Sequence, residues 1–177
     1  MKKLKRISLA IISLMLVLFA LGFWYKATYS MEDTAPKQVN LADLDTKILI
    51  ATQGSDFKRA IVTNIVNHFK LDSTFLNIID VKELNTKNIN DYKAIVILHT
   101  WEYGNPPPSV MVFIAKNLKY KSKLIVMATS GKGTNKIGGI DALSGESLIE
   151  DASDYSDEII ERINRILKTN TILNQPE

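Results

Sequence analysis

Ala94-Ile95-Val96-Ile97-Leu98 is an unbroken apolar run with no polar residue at alternate positions. A strand of this kind has to be buried on both faces, which requires a parallel sheet covered by helices on each side. Similar runs stand at Lys47–Thr52, Phe75–Val81 and Lys123–Ala128. Between or after them lie stretches with helical spacing: Ile61, Ile65, Val66 and Phe69; then Val110, Phe113, Ile114 and Leu118; and finally Ile159, Ile163, Ile166 and Leu167 within Asp154–Lys168. A last short strand is expected near Ile137–Leu143, weakened by Gly138 and Gly139. Strands alternating with helices predict right-handed crossovers and an α/β fold with a doubly wound, five-stranded parallel sheet.

The first 30 residues have a different character. Lys2, Lys3, Lys5 and Arg6 precede an uncharged apolar stretch, Ile7–Trp24. Its 18 residues would rise about 27 Å as a helix, close to the thickness of a bilayer core. This predicts a signal anchor over residues 1–30, a polar, proline-interrupted linker over 31–46 and a folded domain over 47–177. The basic cluster should remain in the cytoplasm, which places the domain on the extracytoplasmic side of a single-pass cell-membrane anchor. Weak cleavage sites at Ala20-Leu21-Gly22 and Thr28-Tyr29-Ser30 would make it secreted if a peptidase accepted them. The chain has no cysteine, so disulfides, thiol catalysis and lipoprotein processing are excluded. Of its 22 Lys and Arg, five lie in the first 30 residues, leaving 17 against 19 acidic side chains in the remainder. The domain is therefore slightly acidic, and the charge gives no support to a nucleic-acid partner.

In a sheet of order 2-1-3-4-5, three unusual loops meet at the carboxyl edge, where such sheets bind ligands. They are Thr52-Gln53-Gly54-Ser55-Asp56, Thr100-Trp101-Glu102-Tyr103-Gly104-Asn105 with the three prolines that follow, and Thr129-Ser130-Gly131. The first opens a helix, whose free N–H groups and dipole could hold a phosphate; Ser55 or Asp56 acting as an ordinary helix cap is an equally plain reading. Trp101 and Tyr103 could stack on a planar ligand or bury area as core aromatics. His99 and His68 read as packing and surface residues, and two histidines so far apart in the chain make no metal motif. The acidic residues from Glu150 to Glu158 read as a solvated helix N-terminus.

Thr100–Val110 followed by Phe113-Ile114 resembles the flavin-stacking loop of flavodoxin-like proteins. Gly54–Ala60 is similar to that family's phosphate loop, and Ala128–Gly131 to its third flavin loop. The resemblance covers about Lys47 to Leu167. It implies FMN bound non-covalently, with its phosphate on the Thr52–Asp56 loop and its ring against Trp101 or Tyr103, near Thr129–Gly131. The cofactor would carry the redox chemistry, so no catalytic acid or nucleophile is implied, and the partner would be a redox protein or a small electron carrier. Two residues depart from the family pattern: Asp56 stands in place of threonine and Thr100 in place of proline. A degenerate flavodoxin-like module without flavin, serving binding or assembly, would keep the same fold. Separately, Asp141–Ser147 is similar to the acceptor motif of extracytoplasmic proteins that carry FMN covalently, which would make Ser147 the attachment point; Glu146 stands where that motif has alanine.

Overall fold

The computed structural model describes residues 2–29, 31–140 and 142–173. The chain divides into two compact units between Met31 and Glu32. The first is the helix α1 (Lys2–Tyr29), in which Lys5–Tyr25 is long and apolar enough to cross a membrane, with a mean hydropathy of 2.5.

The second unit is an α/β domain built on β1 (Lys37–Val39), β2 (Thr46–Thr52), α2 (Asp56–Phe69), β3 (Thr74–Asp80), β4 (Ala94–Thr100), α3 (Pro108–Lys116), β5 (Leu124–Thr129), β6 (Ala142–Gly145) and α4 (Ala152–Leu173). The sheet has six strands in the order β1-β3-β2-β4-β5-β6, all parallel except β1, which runs antiparallel to β3. Because successive side chains in a strand point to opposite faces, each apolar run feeds two cores. Ile48, Ile50, Val96, Leu98, Ile125 and Met127 face α2 and α4, meeting Phe57, Ile61, Ile65, Ile159 and Ile163. Leu49, Ala51, Ile95, Ile97 and Val126 face α3, meeting Val110, Phe113 and Ile114.

The structure departs from the expected pattern in four places. The sheet is not wholly parallel, because residues 31–46, expected as a linker, contribute the edge strand β1; a three-residue strand of exposed and half-buried residues carries no hydrophobic period. The β3–β4 connection is made by two 3-10 turns, Val81–Thr86 and Ile89–Asp91, which plug Val81, Leu84 and Ile89 into the α3-side core. Residues 130–140 after β5 hold no helix, and β6 begins later than expected, at Ala142, because four glycines in that stretch disfavour regular structure. Leu118, placed on the inner stripe of α3 by its spacing, lies beyond the helix end and is exposed.

Asn40 ties the end of β1 to the domain. Its backbone is left-handed, with φ of 67°, and its amide Nδ2 donates to the carbonyls of Lys70 (3.3 Å), Asp72 (3.3 Å) and Thr74 (2.8 Å). Asn40→Ala should lower stability by about 1–2 kcal/mol, the loss of these bonds plus the strain of alanine at positive φ. Urea unfolding of the domain measures this, and an unchanged midpoint would mean that the segment is a free tether.

Candidate functional site

The parallel strands β2, β4 and β5 end side by side, with Thr52 opposite Leu98 and Thr100 opposite Thr129. This register brings the three loops to one edge. Gln53 joins two of them: its Oε1 accepts from the Thr100 amide (2.6 Å), its Nε2 donates to Glu102 Oε1 (2.8 Å), and its own amide donates to the Leu98 carbonyl (3.2 Å). The third loop is tied in by the Trp101 amide, which donates to the Thr129 carbonyl (2.8 Å), and by the 2.9 Å contact between the Thr100 and Thr129 hydroxyls.

Beneath this network lies Lys58, only 1% exposed, whose Nζ donates to Thr100 Oγ1 at 2.6 Å. Burial lowers its pKa to about 8, offset in part by the Glu102 carboxylate. An ammonium this deeply placed is costly unless partnered, so the hydroxyls and the carboxylate around it form one interdependent set. Nothing in its charge marks Lys58 as a buried residue. Its spacing, three before Ile61 and seven before Ile65, is nonetheless that of the inner stripe of α2.

The first loop is arranged as a helix start. Ser55 is the N-cap, its Oγ accepting from the Lys58 amide at 3.2 Å, so its capping reading holds. The Asp56 carboxylate turns outward and pairs with Arg59 at 2.6 Å. Thr52 Oγ1 donates to the Gln53 carbonyl (3.0 Å). Gly54 lies under the backbone of Glu32: its amide donates to the Glu32 carbonyl at 2.7 Å, and a Cβ there would come within 2.8 Å of both Glu32 Cβ and that oxygen. Glycine is needed here for close approach of this chain's own strap. Glu32 also pairs with Arg59 (2.9 Å), Asp33 pairs with Lys82, and the Thr34 amide donates to Asp80 Oδ2 (2.8 Å). Beside the strap, Thr34, Thr52, Gln53, Arg59, Val62 and Ile78 help line a cavity of about 370 Å³.

The second loop separates its two aromatics. Tyr103 (φ 52°) and Gly104 (φ 77°) form a two-residue turn closed by reciprocal backbone bonds between Glu102 and Asn105, of 2.9 and 3.0 Å. Both central residues are left-handed, as in a type I′ turn. Tyr103 is thereby carried to an exposed tip, while Trp101 is half-buried against the α3-side core. Asn105 Nδ2 donates to the Tyr103 carbonyl (3.2 Å). In the third loop Gly131 is exposed, with open space where a side chain would be.

Four side-chain atoms at the ends of β4 and β5 are buried with no hydrogen-bond partner: both ring nitrogens of His99, Trp101 Nε1 and Ser130 Oγ. Strand alternation from Ile95 and Ile97 puts His99 on the α3 side, the side of Trp101. Burial holds the His99 pKa at about 4, partly opposed by the Thr100 backbone and assisted by the charge of Lys58, so the imidazole is neutral at pH 7. His68 packs edge-on to Phe69 at 4.7 Å, away from this edge. The Ala142–Gly145 part of the covalent-acceptor resemblance forms β6, Asp141 lies outside the described residues, and Ser147 follows in an exposed loop. Among the described residues no group of three or more His, Asp or Glu could hold a metal ion.

No protein-family model and no curated protein matches the chain. Among solved structures it is similar to the metal-soaked Flv1 flavodiiron core from Synechocystis sp. PCC6803, with a TM-score of 0.53 at 10% identity, over 72% of this chain. The chain spans 37% of that protein's length, so the likeness is one of fold over part of a longer chain.

The lowered pKa of Lys58 has a consequence for stability. Between about pH 8 and the ordinary value of 10.5 the unfolded chain binds a proton that the folded one has released, so stability rises with pH across that window. The slope approaches about 1.4 kcal/mol per pH unit. Chemical unfolding at pH 7.5 to 9.5 should show this rise in the wild type and its loss in Lys58→Met; parallel pH profiles would place the amine in solvent.

Proposed function

We propose that this is a membrane-tethered, extracytoplasmic flavodoxin-like domain that binds a flavin non-covalently at the carboxyl edge of its sheet and takes part in electron transfer with a redox protein or a small electron carrier. The observation that carries the reading is the group of unpartnered atoms on His99, Trp101 and Ser130. Buried polar atoms without partners are rare and cost about 1–3 kcal/mol each, so a ligand whose uncharged donors and acceptors reached them would be favoured. Support comes also from the sequence resemblance, from the fold shared with the flavodiiron core, and from the parallel strands, which run 2-1-3-4-5 when β1 is left out. The basic cluster before the apolar helix supports the sidedness.

A bound flavin supplies the redox chemistry. The chain's own residues do the rest: Trp101 offers a half-buried stacking face and an N–H donor, Ser130 a hydroxyl, and the Gln53–Glu102–Thr100 network holds the loops in register. Lys58 sets a buried positive charge beneath them. In FMN, the form that the resemblance implies, a phosphate would also have to rest on the first loop. With the strap closed, the residues there do not fit it: the Gly54 amide is taken by Glu32, and Glu32 and Asp56 add negative charge. The same contact favours the second reading, a binding or assembly module on this fold that works without flavin.

Flavin fluorescence quenching on the full-length protein in detergent, titrated with FMN and with riboflavin, separates the two readings. Binding of at least one flavin is expected, and none at tens of micromolar would leave the flavin-free module. Trp101→Ala should weaken binding by about 1–3 kcal/mol if ring stacking is the main contact, whereas Tyr103→Ala, at the exposed tip, should cost less. Equal and small effects of the two variants would place the ring elsewhere.

A further inference from the structure

The strap over Gly54 is in contact with the part of the edge where a ligand's phosphate would be held. Each of its residues from Glu32 to Thr34 is pinned: Glu32 by the Gly54 amide and by Arg59, Asp33 by Lys82, and Thr34 by Asp80. Arg59 and Lys82, which pair with the strap, each face carboxylates of this chain, Arg59 meeting both Asp56 and Glu32. The Ser55 hydroxyl is engaged as the helix cap, and the Thr52 hydroxyl donates to the Gln53 carbonyl. A phosphate dianion arriving here would have to displace a backbone carbonyl at 2.7 Å and compete with two carboxylates for one guanidinium. At the ring end Trp101 Nε1, Ser130 Oγ and the neutral His99 are buried and uncharged, so no charge repulsion opposes a ligand there.

We infer that the Glu32–Thr34 strap is a specificity determinant that selects against a phosphate on the ligand: the closed domain takes a phosphate-free flavin of the riboflavin class, and FMN enters only when the strap leaves Gly54. This rests on the flavin reading above and deepens it. Glu32 supplies both the carbonyl that occupies the amide and a carboxylate that repels the dianion. Asp33, through Lys82, holds the strap in place. The strap follows directly on the apolar helix in sequence, so the residues that leave the anchor are the ones that set which ligand is admitted.

The experiment compares riboflavin and FMN on the full-length protein in detergent micelles, with amide hydrogen exchange at Gly54 as an independent readout. In the wild type, riboflavin should bind at least tenfold more tightly than FMN, with the Gly54 amide protected in the free and riboflavin-bound protein. The double variant Glu32→Ala, Asp33→Ala should gain about tenfold in FMN affinity, leave riboflavin within about twofold, and exchange faster at Gly54. Glu32→Gln keeps the backbone contact and removes the charge, and should recover only part of the FMN affinity. Wild-type FMN binding as tight as riboflavin binding, with Gly54 still protected, would overturn the inference while leaving the flavin reading intact. Binding of neither flavin to any of the proteins would overturn both.

Discussion

Burial of the central strands on two faces at once is the constraint from which the remaining architecture follows. Leu49 and Ile50, or Ile95 and Val96, are neighbours in sequence but belong to opposite cores, and each is fully buried. Every such side chain contributes roughly 1.5–3 kcal/mol of transfer free energy, available only if both faces are covered. That requirement calls up α2 and α4 on one side, and α3 with the 3-10 turns after β3 on the other. Where a helix is missing, as in residues 130–140, Ile137 is still drawn under the sheet edge to keep the α3-side core closed.

The same sheet creates the polar edge. Parallel strands that end in register leave their last side chains in one row, and here that row is Thr52, His99, Thr100 and Thr129 rather than further aliphatics. Lys58 enters this row from α2, and its charge is tolerated because Thr100 and the Glu102 carboxylate face it. Gln53 then uses both ends of its amide to lock the first loop against the second. A set with so many shared partners is specific in geometry, since removing any member leaves another unsatisfied at low dielectric. On the opposite side of the same strand ends the polar atoms of His99, Trp101 and Ser130 have no such partners. The edge is therefore complete on the α2 side and open in its hydrogen bonding on the α3 side.

Residues 31–46 change how the first loop is understood. As a sequence the segment has no hydrophobic period and contains Pro36, so nothing in it announces a strand. In the fold it lies across the ends of β2 and β3 and returns along β3 as the edge strand, and Gly54 is the residue whose missing side chain makes room for it. A glycine in a strand-to-helix turn reads as space for a ligand; here the space is filled by the chain itself. No local pattern distinguishes these cases, because the partner of Gly54 is 22 positions away and was brought there by β1 pairing with β3.

The sequence by itself determined the apolar helix at the N-terminus and the alternation of doubly buried strands with helices, because each depends on hydrophobic period, which is local; the meeting of the three loops at one edge followed only once a strand order was assumed, and pairing of distant strands supplies it. The sequence also offered Ser55 or Asp56 as the cap of α2, a contact spanning three residues that Ser55 makes. Only the tertiary structure decided that Lys58 is buried rather than solvated, that Trp101 is sheltered while Tyr103 is lifted into solvent by a left-handed turn, and that Glu32 closes over Gly54. These outcomes depend on which distant group arrives to satisfy a charge, a ring face or an amide. That is a property of the packed chain, and it is absent from the spacing of residues along it.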